Sequence, residues 1–459
     1  MLRRKVYDTL MEWKENGNKP LLVSGQRQIG KTYIIEKFGK ENFETYIYMN
    51  LSEDSEFRLV FEQDDRTVDN LILSIQIVCN IGKIDPTKTL LFLDEIQDCP
   101  KALSSLKSFK KDGRYKVIAS GSMLGVTHNL FSDGVPPMGD ARVVNMTSLD
   151  FEEFLWANNI PLEAIDSVKH HIKVKSEIEK PILNEFNKLF RIFQITGGMP
   201  AAVQAYIDDA STFANASQEL EDIVTQIGRD ITRYNDRYNA VRTSECFRSI
   251  PHQLAQTNKK FQYSRISPES IGAKNTRKAA DRYMGNLLWI KYAGYGNFCY
   301  GLNMIQKPIE AYVKRDMFKC YLSDTGILTH IYGDMAVKAL FTSDTSFNKG
   351  AITENAVAEC LMKCGYKPRY FVNNNGEGRM EIDFLVEMFN GIVAIEVKSG
   401  KDRFAPSISK LCHNPEVDKI VILENDNIFI DEDNFEHYPL FASAFFGLLD
   451  DVPIYLQRR

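Results

Sequence analysis

The chain of 459 residues is long enough for about three domains of ordinary size, so a single small module is excluded. Apolar residues make up 44% and charged residues 25%, a globular composition rather than that of a disordered tail or a fibrous repeat. The 56 Lys and Arg against 61 Asp and Glu leave a net charge of −5, which excludes coating of nucleic acid by bulk positive charge; such contact needs a local basic patch.

In chain order, Met1-Leu-Arg-Arg-Lys5 is followed by Asp8, Glu12, Lys14 and Glu15, which interrupt the apolar core an export signal needs. Pro20-Leu-Leu-Val-Ser24 then reads as a short buried strand, running into Gly25-Gln26-Arg27-Gln28-Ile29-Gly30-Lys31-Thr32 and a helix from Tyr33 to Phe38. Strand, glycine loop and helix in this order make a phosphate-binding P-loop. Its glycines let backbone N–H groups turn toward a phosphate chain, and the helix N-terminus adds partial positive charge. Lys31 is placed to reach the β and γ phosphates, and Thr32 to hold Mg²⁺ through its hydroxyl.

Glu44 to Met49 reads as the next strand. Leu71 to Ile81, the longest apolar stretch, is broken by Ser74, Gln76 and Asn80 and falls short of the ~20 residues of a membrane helix. A soluble, cytoplasmic protein without a membrane partner is expected. Thr89-Leu-Leu-Phe-Leu93 is a strand buried on both faces that ends in Asp94-Glu95, a Walker B arrangement. Asp94 can take the Mg²⁺ water shell, and Glu95 can polarise the attacking water as general base. Tyr115 to Ala119 leads to Ser120-Gly121-Ser122, where Ser120 or Ser122 can sense the γ-phosphate, and Ala141 to Met146 supplies a fifth strand. Five strands alternating with helices predict a parallel sheet whose ligand sits at the strands' carboxyl ends.

These residues, with Ser148-Leu-Asp-Phe-Glu-Glu-Phe154, Gly197-Gly-Met-Pro200, Asp230-Ile-Thr-Arg-Tyr234 and Lys319-Cys-Tyr-Leu-Ser-Asp324-Thr-Gly326, resemble a large prokaryotic family of AAA-type P-loop ATPases. Its members are related to the archaeal and signal-transduction ATPases and end in a domain of unknown function. The resemblance runs nearly the whole chain and implies ATP binding, with Mg²⁺ as its metal.

From Leu149 to Tyr238 the apolar period is helical, with Phe151, Phe154, Leu155, Leu183, Phe186, Leu189, Phe190 and Phe193 as core faces, and this reads as a helical lid. Gly197 to Pro200 breaks the helices as a candidate hinge. Arg142, Arg229 and Arg233 are candidate arginine fingers. Helices over 246–254, 264–271 and 275–288, followed by a strand at Leu288 to Tyr292, give a winged helix-turn-helix order. Within 259–282, Lys259, Lys260, Arg265, Lys274, Arg277, Lys278 and Arg282 outweigh Glu269 and Asp281 by five charges, so this face is a candidate for double-stranded DNA.

The last third reads as a helix at Ile352 to Lys363, strands at Arg369–Val372, Met380–Met388 and Ile392–Lys398, a helix near Ser407 to Leu411, and a strand at Lys419 to Leu423. Side chains two apart on a strand share a face, so Glu396 and Lys398 point together. This order, with an acid on the second strand and Glu-x-Lys on the third, resembles the PD-(D/E)XK nuclease superfamily. The resemblance places Asp383, Glu396 and Lys398 at catalytic positions and Glu354 at the helical acid; Asp383, Glu396 and Glu354 would be the metal ligands. Ile382 stands where the superfamily carries Pro. Cys360 and Cys364 share a helical face without a second ligand pair, and the eight cysteines form no CxxC; all read as reduced thiols.

The expected architecture is α/β: a P-loop core over 1–148, a helical lid over 149–240, a winged helix over 241–300 and a restriction-endonuclease-like domain over 301–459. The expected activity is ATP hydrolysis in a DNA-associated protein whose nucleotide state gates a metal-dependent nuclease. The alternative is a regulatory nucleotide switch whose last domain is an inactive binding module, acting on a protein partner or as a homo-oligomer.

Overall fold

The computed structural model describes residues 2–122, 139–209, 212–266, 276–342, 344, 347–373, 380–398, 411 and 414–450. The chain divides into two compact units, one of Arg3–Ser148 with Tyr292–Gly294, the other of Leu149–Lys291 and Tyr295–Arg459 with Met1–Leu2.

The first unit opens with helix α1 (Val6–Asn16) and is built on strands β1 (Leu21–Ser24), β2 (Thr45–Asn50), β3 (Thr89–Asp94), β4 (Lys116–Gly121) and β5 (Arg142–Asn145), in the order β2-β3-β4-β1-β5. Every neighbouring pair is parallel, as the alternation of strands and helices predicts. The run Thr89-Leu-Leu-Phe-Leu-Asp94 is buried at every position, because β3 lies inside the sheet with apolar packing on both faces. Helix α2 (Lys31–Asn42) follows β1 and buries Ile34, Ile35 and Phe38, while α3 (Ser55–Glu62), α4 (Val68–Val78) and α5 (Pro100–Asp112) contribute Phe61, Leu71, Ile75, Leu106 and Phe109 to the core. Parallel pairing brings the carboxyl ends of β1, β3 and β4 to one edge, with β4 between the other two.

The second unit begins with helices α6 (Phe151–Ala157), α7 (Leu162–Val174), α8 (Lys180–Thr196), α9 (Pro200–Asp208), α10 (Ala214–Arg233) and α11 (Arg237–Leu254). Asp150 and Glu153 form a capping box that starts α6, satisfying N–H groups that would otherwise face no partner. Phe151 packs edge-on against Phe190 at 5.1 Å, and Phe154 lies 5.4 Å from Phe193, so the apolar period over this stretch does mark a core. Gly197 is not a loose joint: its neighbour Gly198 donates to the buried Asp324 carboxylate at 2.8 Å and accepts from Leu149 N at 2.7 Å.

Helix α12 (Thr276–Tyr292) runs through the segment expected as a strand at Leu288 to Tyr292. Tyr283, Leu287 and Ile290 are fully buried at helical spacing, and this tertiary packing decides a short apolar run that period alone leaves ambiguous. A 3₁₀ turn at Tyr263–Arg265 stands where a second helix was expected, and most of that helix lies outside the described residues.

Strands β6 (Gly296–Leu302) and β7 (Val313–Leu322) form an antiparallel pair that belongs to one eight-stranded sheet, β12-β13-β11-β10-β9-β8-β6-β7. The others are β8 (Arg369–Asn373), β9 (Met380–Met388), β10 (Gly391–Val397), β11 (Val417–Glu424), β12 (Phe429–Ile430) and β13 (Glu436–Pro439). The boundary expected at 300/301 therefore falls inside β6, and that at 240/241 inside α11. Helices α13 (Thr325–Tyr332), α14 (Asp334–Phe341) and α15 (Gly350–Lys363) precede β8. The helix expected near Ser407 lies outside the described residues except for Leu411. Among the described residues, no helix is long and apolar enough to cross a membrane, and the cysteines are free thiols.

Candidate functional site

The loop after β1 is shaped by residues that tolerate unusual backbone. A Cβ on Gly25 (φ +156°) would lie 2.2 Å from the Met146 carbonyl oxygen, so no side chain fits there. Gln28 (φ +64°) and Gly30 (φ +86°) take left-handed conformations that turn the chain into α2. The Lys31 ammonium is 7% exposed and donates to the carbonyls of Gly25 at 3.0 Å and Gln26 at 2.7 Å. It closes on its own loop, at the place where phosphate oxygens would take over as acceptors. Burial lowers its pKa to about 8, against the upward pull of Glu95 and Asp94.

Thr32 Oγ1 donates to Asp94 Oδ2 at 2.8 Å, joining the first turn of α2 to the end of β3. Tyr48 of β2 also donates to Asp94 Oδ2, at 3.1 Å, and Ser120 of β4 donates to Asp94 Oδ1. Next to it, Glu95 adopts a left-handed backbone (φ +51°) and accepts from Ser122 Oγ at 2.9 Å and from Gln97 Nε2. Arg27 Nε in turn donates to Ser122 at 3.3 Å. Ser120 and Ser122 thus divide the labour, one holding each acid. Tyr48 and Gln97 escaped the sequence reading, although strand alternation on β2 was the available signal for Tyr48.

Mg²⁺ takes hard oxygen ligands, and the Thr32 hydroxyl beside the Asp94 carboxylate supplies two at the foot of the phosphate loop, so these residues fit the ion. Arg142 does not point to a γ-phosphate in its own unit: it pairs with Leu21 at the start of β1, the end away from Ser24, and forms an ion pair with Glu12 at 3.2 Å. Arg229 and Arg233 lie on α10, in the second unit.

The structure also gathers the four residues singled out in the last third. Glu354 comes from α15, Asp383 from β9, Glu396 from β10, and Lys398 directly follows β10. Ile395 pairs with Phe384, so Glu396 and Asp383 occupy the next positions of adjacent strands, and Asp383 Oδ2 accepts from Val397 N at 3.0 Å. Burial raises the pKa of both acids, to which Glu354 adds at Asp383 and Asp383 adds at Glu396; Lys319 and Lys398 respectively oppose the rise.

The fit to a metal ion fails at Glu354. Its Oε1 accepts from Lys319 Nζ at 3.0 Å and Tyr321 OH at 2.5 Å, and its Oε2 is paired with Lys259. Burial alone would raise this carboxyl, but Lys319 and Lys259 hold it down at about 2. Among the described residues, no three His, Cys, Asp or Glu side chains are arranged to hold a metal ion. Lys259, expected on a DNA-facing surface, is committed to this cluster. The side chains of Arg277 and Lys278, and all of Lys274, lie outside the described residues.

Residues 17–155 match the family model described as an AAA domain. Residues 187–338 and 349–441 match two domains of unknown function, DUF8612 and DUF4143. The chain is thus similar to an AAA domain over its first third and to two domains of unknown function beyond it. No curated protein matches the sequence. Among solved structures, a Walker-type ATPase of Pyrococcus abyssi is 15% identical, with 72% of this chain and 96% of that one covered at a TM-score of 0.42. The ORC2 protein of Aeropyrum pernix is 11% identical, covering 74% and 93% at 0.35, and AMPPCP-bound DnaA from Aquifex aeolicus is 14% identical, covering 63% and 87% at 0.30. Likeness this distant says nothing about what the chain acts on.

Proposed function

We propose that the chain binds ATP with Mg²⁺ and hydrolyses it as a nucleotide-operated switch. The observation that carries this reading is the joined arrangement of Thr32, Asp94 and Glu95 beside the Lys31 loop. On binding, Lys31 exchanges its two loop carbonyls for β and γ phosphate oxygens, and the backbone N–H groups of Gly25 to Gly30 face the same chain of phosphates. Thr32 and Asp94 would hold Mg²⁺, which supplies charge neutralisation at the phosphates. Glu95, steadied by Ser122 and Gln97, takes the proton of the attacking water.

Lys31→Ala is expected to abolish nucleotide binding. Glu95→Gln should keep binding and lower phosphate release by at least ~10²-fold, since the water loses its base. Full turnover in Glu95→Gln would sink the assignment of the base.

For the second unit, the favoured reading is a binding module, because the lysine partners of Glu354 leave the acid set without its helical ligand. The nuclease reading retains one observation in its support, the adjacency of Asp383 and Glu396 on neighbouring strands. DNA association through the basic segment 259–282 is retained as part of the proposal, with Lys260, Arg265, Arg277 and Lys278 as its cations. Retention on duplex DNA should weaken steeply with salt, and Arg277→Ala with Lys278→Ala should lower the salt slope by about 0.9 for each phosphate no longer neutralised. No retention at low salt, with or without ATP, would leave a protein as the partner.

A further inference from the structure

We infer that the Lys319 ammonium is the resident cation of the C-terminal acid cluster, standing where a divalent metal ion would have to sit, so that this centre works without metal. Lys319 and Tyr321 are two apart on β7 and share the face that meets α15. The Lys319 side chain is 1% exposed, and its Nζ lies 3.0 Å from Glu354, 3.7 Å from Glu381 and 3.8 Å from Asp383. The Tyr370 ring, itself fully buried, lies 5.3 Å away. An ammonium at this point meets Glu354 and Asp383, two of the three carboxylates that a metal would need, and a second positive ion placed among them would be repelled at close range.

The charge balance agrees. Glu354, Asp383 and Glu396 are buried or partly buried acids, which require compensation in a low-dielectric interior. Lys259, Lys319 and Lys398 supply three positive charges from this chain. A divalent ion is therefore not needed to hold the acids together, and an ion approaching Glu354 would meet Lys319 and Tyr321 at one oxygen and Lys259 at the other.

This assignment rests on the binding-module reading of the second unit. The test is Mn²⁺ binding to the full-length chain without nucleotide, by calorimetry and electron paramagnetic resonance, in the native protein, Asp383→Asn, Lys319→Ala and Lys319→Ala with Asp383→Asn. The native protein and Asp383→Asn should bind Mn²⁺ alike, whereas Lys319→Ala should gain a stoichiometric site that the added Asp383→Asn removes. A native Mn²⁺ site that Asp383→Asn abolishes would overturn the assignment, as would a folded Lys319→Ala that gains none. If Lys319→Ala does not fold, the native protein decides through its thermal midpoint: no Mn²⁺-dependent shift that Asp383→Asn removes is expected, and such a shift overturns it. Plasmid nicking in the same samples and in Lys398→Ala separates the two readings. Metal-free nicking that Lys398→Ala stops defeats the binding module alone, Mn²⁺ binding that Asp383→Asn abolishes without any nicking defeats the Lys319 assignment alone, and Mn²⁺-dependent nicking lost in Asp383→Asn defeats both.

Discussion

The Thr32 hydroxyl donates to the Asp94 carboxylate at 2.8 Å, across 62 positions of sequence, and this bond ties the phosphate loop to the acid that ends β3. A hydrogen bond to a charged group contributes roughly 1.5–3 kcal/mol. Thr32→Ala should therefore weaken ATP binding in Mg²⁺ by roughly ten- to a hundredfold, and by much less in EDTA, where no ion depends on the hydroxyl. Equilibrium titration with and without Mg²⁺ reads the difference.

Lys31 gives ATP binding a pH dependence whose sign follows from its lowered pKa of about 8. Phosphate oxygens favour the charged ammonium, so the bound state has the higher pKa. Below pH 8 the lysine is protonated in both states and affinity is level. Above it, binding must take up a proton, and affinity should fall by up to about tenfold per pH unit. Calorimetry in two buffers of different ionisation heat would register the proton uptake, and Lys31→Arg should flatten the profile.

Gly197 has φ +68°, and a Cβ there would lie 1.9 Å from Asp324 Oδ1. Asp324 is buried, accepts from Gly198 and caps α13 through Gly326 N at 3.0 Å, so it has little room to retreat. Gly197→Ala should destabilise the second unit by about 2–4 kcal/mol, combining a left-handed backbone cost with overpacking. Urea unfolding followed by tryptophan fluorescence measures it, while nucleotide affinity at the Lys31 loop is expected to hold.

His437 is buried between two acids, with Glu424 on Nδ1 at 2.5 Å and Asp431 on Nε2 at 3.0 Å, and it stacks on Phe429. Burial alone would lower its pKa, but the hydrogen bonds to Glu424 and Asp431 outweigh it and the pKa is raised above 6.5. The resulting stabilisation is fully present below the unfolded value and is lost as pH rises through the folded one. Against His437→Gln, the native protein should keep its largest advantage in thermal midpoint at mildly acid pH and lose it toward alkaline pH; a constant difference would refute the charged pair.

The P-loop, the Walker B strand and the five-strand parallel sheet were legible because each depends on neighbours in sequence. Gly25 to Thr32 needs its own glycines, and the unbroken apolar run of Thr89 to Leu93 can only be an interior strand. The ends of β9 and β10 were legible for the same reason, since strand alternation places Asp383 and Glu396. Pattern failed where an apolar run is short: Leu288 to Tyr292 fits either period, and burial of Tyr283, Leu287 and Ile290 together made it helical. It failed again for the division of the chain, because β6 joins a sheet whose other strands come up to 140 residues later. Above all, Glu354 was read as a metal ligand from its helix and its place in the order of elements. Lys259 and Lys319, 95 and 35 positions away, take both its oxygens. Sequence carries the types of these charges but not their distances, and only the folded sheet, by bringing β7 against α15, decides that the Lys319 ammonium lies against this acid.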